Sequence, residues 1–375
     1  MEEVILLHRQ VPVPQGRGSG MSHVGATLAR TAAAALPALA ALALGAAAAA
    51  RPLRKWRRLY RRELENQRLL LEAQRRIREE ADRMFHLSAE ELRAALQSQG
   101  YYLDPLRAGR LWVYLRQGKP VGLRGEPGVG KSQLPEAFAR AMGYHFIDLE
   151  CHSQLEADEI GIAWNGFKQI VDAHAYRAGE PKPDLYTLEY LTPTPLLESL
   201  LSDRPTVVRV DEVDKLNERT ANFFLRYLDK KELVVHNLSG GKRTLRARAP
   251  LYIFLTSNEY RRLDPAFMRR TVWLDLEFPS EPVLAQILAS AVGVPPDFAA
   301  RVARVVHQVR QLNLAKKPSI AEAIEWCRAL VDVAGGQITP QSVELTIGFL
   351  AKWPEDEALV REALRRWYDS FSRVG

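Results

Sequence analysis

The chain has 375 residues, 47% of them hydrophobic, and a formal net charge of +7, enough for about two or three domains with a sizeable core. The charge is local: Arg51, Arg54, Lys55, Arg57, Arg58, Arg61 and Arg62 of the acid-free run RPLRKWRRLYRR equal the whole excess. The near-neutral remainder argues against a broad nucleic-acid-binding body. Cys151 and Cys327, with no C-x-x-C or H-E-x-x-H spacing, argue against a disulfide framework or structural zinc and for a reducing, cytosolic setting.

In chain order, residues 1–30 hold the turn formers Pro12, Pro14, Gly16, Gly18 and Gly20 without a clear period and read as a disordered leader. Residues 31–50 (TAAAALPALAALALGAAAAA) are uncharged and just reach the ~20 residues a membrane span needs. Their leucines contribute only about −2 kcal/mol to insertion, and Pro37 and Gly45 do not favour a helix. Two readings stand: a membrane anchor whose basic flank keeps residue 51 onward in the cytoplasm, or an Ala-rich low-complexity tail. Met21 is an alternative start. Residues 51–87 read as a charged helical linker. One long helix over 52–85 is expected, with i,i+4 pairs Glu72–Arg76, Arg76–Glu80 and Glu79–Arg83. Ser88 and Glu91 form a capping box that opens a helix to about Gln97.

From residue 88 to about 280, short apolar runs alternate with helical stretches, the mark of an α/β domain with a parallel sheet. Strands are expected at Pro120–Leu123, His145–Leu149, Thr206–Val210, Leu251–Thr256 and Val272–Leu276, with a helix at Lys131–Met142. Glu232–His236 and Arg243–Ala247 flank the turn Ser239-Gly240-Gly241 and read as a hairpin. Residues 281–375 form a helical region, with Trp367 and Tyr368 near its end either packed on that region or available to a partner.

The chemistry starts at Gly125-Glu126-Pro127-Gly128-Val129-Gly130-Lys131-Ser132, which fits the phosphate-loop pattern G-x-x-x-x-G-K-[ST]. Its glycines let successive N–H groups face phosphate oxygens, and the following helix adds its positive end. Lys131 reaches the β/γ-phosphates, and Ser132 serves as a Mg²⁺ ligand. About 80 residues on, Val207–Val210 runs into Asp211 and Glu212. At the end of a buried parallel strand, Asp211 holds Mg²⁺ through water and Glu212 orients or deprotonates the attacking water. Asp214 and Lys215 are expected to cap the next helix. Leu251–Thr256 ends in Ser257-Asn258; beside the phosphate-loop strand, Asn258 faces the γ-phosphate. Arg269 and Arg270, and less so Arg261 and Arg262, are candidates for a cation supplied to a neighbouring subunit's site.

Together these residues resemble the AAA+ ATPases, and more narrowly the MoxR group. GEPGVGKS matches Walker A, VVRVDEVDK matches Walker B, LYIFLTSN matches sensor 1, and LDPAFMRR looks like the arginine-finger segment. LECHSQLEADEIGIAWNGFKQI and KKPSIAEAIEWCRAL are similar to segments of the carbon monoxide dehydrogenase maturation branch. The resemblance spans roughly residues 100–350. It implies a P-loop αβα domain with a small all-α lid, ATP and Mg²⁺ as cofactors, and a homo-oligomeric ring, expected as a hexamer. It also implies a client protein that is remodelled or activated, and a partner with a von Willebrand factor A domain; nucleic acid is not expected. The sensor 2 arginine of many lids is replaced by lysine at Lys316 or Lys317, a point charge instead of a planar fork. Rival readings are a nucleotide-gated scaffold with negligible turnover and a nucleic-acid motor. A GTPase is disfavoured because no N-K-x-D motif is present.

Overall fold

The computed structural model describes residues 82–176, 182–258 and 262–372, with side chains to Arg365. The leader, the 31–50 segment, the linker to residue 81, Arg261 and the side chains of Trp367 and Tyr368 lie outside the described residues. Among the described residues, no helix is long and apolar enough to cross a membrane.

The elements run, in chain order, α1 (Arg83–His86), α2 (Ala89–Ser98), α3 (Pro105–Arg116), β1 (Val121–Arg124), α4 (Gln133–Met142), β2 (His145–Glu150), α5 (Ala157–Ile160), β3 (Ala163–Trp164), α6 (Gly166–Ala175), β4 (Leu191–Thr192), α7 (Pro195–Leu201) and β5 (Thr206–Asp211). There follow α8 (Glu218–Lys230), β6 (Glu232–Val235), β7 (Arg243–Arg246), β8 (Leu251–Thr256), α9 (Pro265–Met268) and β9 (Val272–Asp275). The C-terminal region is helical: α10 (Glu281–Val292), α11 (Pro296–Val309), α12 (Ile320–Ala334), α13 (Pro340–Thr346) and α14 (Pro354–Ser372).

Five strands form one parallel sheet in the order β2-β5-β8-β1-β9. The inner strands β1, β5 and β8 bury both faces, while the edge strand β2 alternates buried Ile147 and Leu149 with exposed Asp148 and Glu150. On β8, Tyr252 and Phe254 pack towards α2, α3 and α4 with Leu92, Leu111 and Phe138. Leu251, Ile253 and Leu255 pack the other way, with Leu196, Leu200, Phe224 and Tyr227 of α7 and α8. This period-2 split is the reason continuous apolar runs mark parallel strands. The arrangement is the expected three-layer α/β fold, followed by a helical region with its own core around Val302, Val306, Trp326 and Leu330.

The expected helix over 52–85 does not continue to its predicted end. Asp82 is extended (φ −80°, ψ 118°), caps Met84 N–H, and limits α1 to one turn before Leu87 is extended again. The cause is a buried network: the Asp82 carboxylate, 1% exposed, accepts the hydroxyls of both Tyr144 and Tyr252. The capping box of Ser88 and Glu91 is formed and opens α2. The 232–247 hairpin is present as β6–β7, with Leu233 opposite Leu245. Helix α8 is capped by Asn217, whose Oδ1 accepts Thr220 N–H at 2.8 Å. Asp214 and Lys215 instead form a short 3₁₀ turn. The two-residue β3–β4 pair and helix α6 were not anticipated from sequence.

Candidate functional site

Strand β1 delivers the chain into Gly125, where φ is +146° and an added Cβ would stand 2.1 Å from the Leu276 carbonyl oxygen of the strand-β9 exit. Gly128 has φ +82°, and a Cβ there would meet Ser319 Cβ at 2.2 Å. The loop can therefore curl only as glycine, and it curls against the start of α12. Lys131, 6% exposed, folds back so that Nζ donates to Gly125 O (2.7 Å) and Glu126 O (3.0 Å). Those are acceptors an ammonium can exchange for phosphate oxygens. Ser132 starts α4 but makes no side-chain cap.

The Ser132 hydroxyl instead reaches across to β5 and donates to Asp211 Oδ1 at 2.8 Å. Thr256 Oγ1, at the end of β8, donates to the same Oδ1 (2.5 Å) and accepts Glu212 N–H (2.8 Å). Glu212 sits at φ 55°, one of two non-glycine residues with positive φ among those described. Such backbone strain persists where surroundings over-determine it, as at functional sites. Its Oε1 accepts Asn258 Nδ2 at 2.9 Å, and its Oε2 is paired with Lys215. That pairing raises the Lys215 ammonium above its ordinary value. Because β8 lies between β1 and β5, Lys131, Ser132, Asp211, Glu212 and Asn258 share one strand-end edge. They line a cleft of about 270 Å³ with Pro127, Gly130, Thr256, Ser319 and Ile320. This is below the usual 300–1,000 Å³ of ligand sites, because the helical region is docked on the loop through Ser319 and through Ile320 N–H to Gly128 O (3.1 Å). A larger depression of about 410 Å³, lined by Gln97, Tyr102, Gln286 and Pro296 among others, carries none of the predicted residues.

The residues fit a nucleotide with Mg²⁺: a loop that only glycine can form, a buried lysine on exchangeable carbonyls, and a hydroxyl 2.8 Å from a carboxylate. Val129 is buried beneath the loop, while Glu126 and Pro127 are exposed at its mouth. The two lysine candidates separate. Lys316 is turned away, its Nζ on Glu322 (2.9 Å) and its backbone N–H on Asp356. Lys317 Nζ faces the loop, 3.0 Å from Glu126 Oε1. Arg269 and Arg270 are not brought into this cleft. They follow α9; Arg269 is exposed, and Arg270 donates to Ala266 O (2.8 Å) while its Nε has no hydrogen-bond partner.

Sequence reasoning missed three contributors. Thr256 was read only as a strand end, although its β-branched hydroxyl just ahead of Asn258 was visible. Arg209 binds Asp148 (2.7 Å) and Ser132 O (2.5 Å), tying β2, β5 and the loop's exit together. Ser319 closes the cleft from the helical side.

Residues 120–271 match the family model of the AAA domain, dynein-related subfamily. The match supports an AAA+ ATPase domain there, with the P-loop NTPase character and nucleotide binding such a domain carries. The chain is also 25% identical over 305 residues to the uncharacterized protein YehL of Escherichia coli (strain K12), covering 72% of this chain and 79% of that protein.

Proposed function

We propose that the protein is a Mg²⁺-dependent ATPase of the MoxR kind, working as a ring oligomer that remodels or activates a client protein. The observation that carries the reading is the hydrogen-bonded chain Ser132–Asp211–Thr256–Glu212–Asn258 beside Lys131. Bound Mg²⁺ would offset phosphate charge in such a site. Lys131 would exchange its loop carbonyls for β/γ-phosphate oxygens, and Ser132 with Asp211 would hold the metal, Asp211 through water. Glu212 positions and deprotonates the attacking water, with Asn258 fixing its carboxylate. Lys317 leaves Glu126 for the terminal phosphate. Arg270, with Arg269 second, serves the neighbouring subunit's site, in keeping with their position outside the chain's own cleft. The exposed tip of the β6–β7 hairpin carries nucleotide state to a client, with a von Willebrand factor A domain partner as the class the resemblance suggests. Anchoring through residues 31–50 remains part of the proposal, with the ATPase domain on the cytoplasmic side.

Two substitutions test the site. Lys131→Ala is expected to abolish nucleotide binding. Glu212→Gln is expected to keep ATP affinity while steady-state turnover falls about 10²–10⁴-fold. Wild-type affinity in the first, or wild-type turnover in the second, rejects the assignment. A nucleotide-gated scaffold is favoured by one observation, the Lys215 pairing that holds Glu212; absent turnover in the assembled wild type selects it.

A further inference from the structure

Both oxygens of the Glu212 carboxylate are engaged. Oε1 accepts Asn258 Nδ2 at 2.9 Å, and Oε2 is ion-paired with the Lys215 ammonium. Asn258 is neutral and fixes the plane of the carboxylate, whereas Lys215 occupies the oxygen that remains for a water. The pair is local and movable. Lys215 ends the 3₁₀ turn Val213–Lys215, and its backbone N–H donates to Glu212 O at 2.9 Å. The lysine side chain is 45% exposed and the glutamate side chain 26%. Further anions act on the same ammonium: it is raised first by the bond to Glu212, and also by the charges of Glu150 and Asp214. Asp214 is 1% exposed, so an ammonium drawn to it would have to leave water. Glu150 is exposed and ends β2 opposite Asp211, the residue before Glu212. The segment that follows β2 is tied to the end of the Lys215 turn, since Asn217 Nδ2 donates to Leu155 O at 3.0 Å. Lys215 therefore has two carboxylates to choose from, and only one choice leaves Glu212 open.

We propose that Lys215 is a positioning residue that restrains Glu212, and that ATP hydrolysis requires its ammonium to leave Glu212 for Glu150. This rests on the ATPase reading and deepens it by assigning the regulation of that same site. With Lys215 on Oε2, nucleotide can bind, but the attacking water must compete with an ammonium for its oxygen. With Lys215 on Glu150, Oε2 is open and Asn258 still holds Oε1. Exposed ion pairs shift an equilibrium by about two- to fivefold, so the pairing acts as a brake on turnover and not as a block.

The test is steady-state ATP hydrolysis with Mg²⁺ by the full chain at a fixed protein concentration, with KM for ATP and melting temperature recorded alongside. The proteins are wild type, Lys215→Met, Lys215→Arg, Glu150→Gln and the double variant of Lys215→Met with Glu150→Gln. Methionine keeps an apolar stem and removes the charge, so kcat is expected to rise about two- to fivefold while KM stays at the wild-type value. Arginine restores a cation and is expected to bring kcat back to the wild-type level. Glu150→Gln removes the second seat and is expected to lower kcat about two- to fivefold, but to have no effect when Lys215 is already methionine. A merely structural lysine would give neither the rise nor that dependence. A kcat at or below wild type in folded Lys215→Met overturns the proposal, as does an equal Glu150→Gln loss in both backgrounds. If Lys215→Met does not fold, Lys215→Gln decides by the same criteria. No turnover in wild type or in any variant rejects the ATPase reading itself, and the proposal with it. Turnover that Glu212→Gln removes and Lys215→Met leaves unchanged overturns the restraint alone.

Discussion

Gly128 joins the loop's backbone geometry to the docking of the helical region. Its φ of +82° and the 2.2 Å approach of Ser319 to a notional Cβ leave no room for alanine. Gly128→Ala is expected to lower stability to urea by about 1–3 kcal/mol and to weaken nucleotide affinity as Ser319 is pushed off the loop. Gly240→Ala, which meets nothing within 4 Å, is the control expected to change neither. Equal stability of the two variants would contradict the docked arrangement. At this scale local spacing picked out residues that the fold brings to one cleft: Lys131 and Ser132 in the loop, and Asp211 and Glu212 after an apolar run. It could not reveal Thr256 as the bridge between Asp211 and Glu212, a contact made across 45 residues of chain. Nor could it choose between Lys316 and Lys317. That choice depends on Asp356, at 2% exposure, fixing the backbone of Ala315 and Lys316 from α14.

The hairpin β6–β7 is held at its base by Glu232, which is 2% exposed. Its carboxylate receives Arg226 at 2.8 Å from α8 and Arg246 at 3.0 Å from β7. Burial pushes this carboxyl up, but the two guanidiniums outweigh it and hold it below its usual range. A depressed folded-state value contributes stability that is present above the unfolded value and lost as pH falls through the folded one. Wild-type urea stability is therefore expected to hold at neutral pH and to drop as pH falls through and below the ordinary glutamate range, with part of the drop due to Glu232. Glu232→Gln is expected to cost roughly 1–2 kcal/mol at pH 7, because both arginines are themselves largely solvated, and to show a shallower acid loss. The same pH profile in both proteins would contradict the pairing. The main strands and this hairpin were legible because period and turn residues are local signals. The β3–β4 pair was not, since two-residue strands carry no period. The break at Asp82 was not either, because its cause is two tyrosines 62 and 170 residues away.

For the whole molecule, the sheet order β2-β5-β8-β1-β9 puts the Asn258 strand between those bearing Lys131 and Asp211. The helical region closes the site through Ser319, Ile320 and Lys317. One chain thus brings the loop, both acidic residues and Asn258 to one cleft, while Arg269 and Arg270 stay outside it. Under the proposal that Arg270 serves a neighbouring subunit's site, activity is expected to depend on assembly. The measurement is steady-state ATP hydrolysis by the full chain across a range of protein concentrations, for wild type, Arg270→Ala and mixtures of the two. The account predicts turnover per subunit that rises with concentration and a fall with Arg270→Ala of about 10³-fold or more. In mixtures, loss should exceed the fraction of mutant subunits where sites are coupled around a ring. Turnover independent of concentration and unchanged by Arg270→Ala would contradict it.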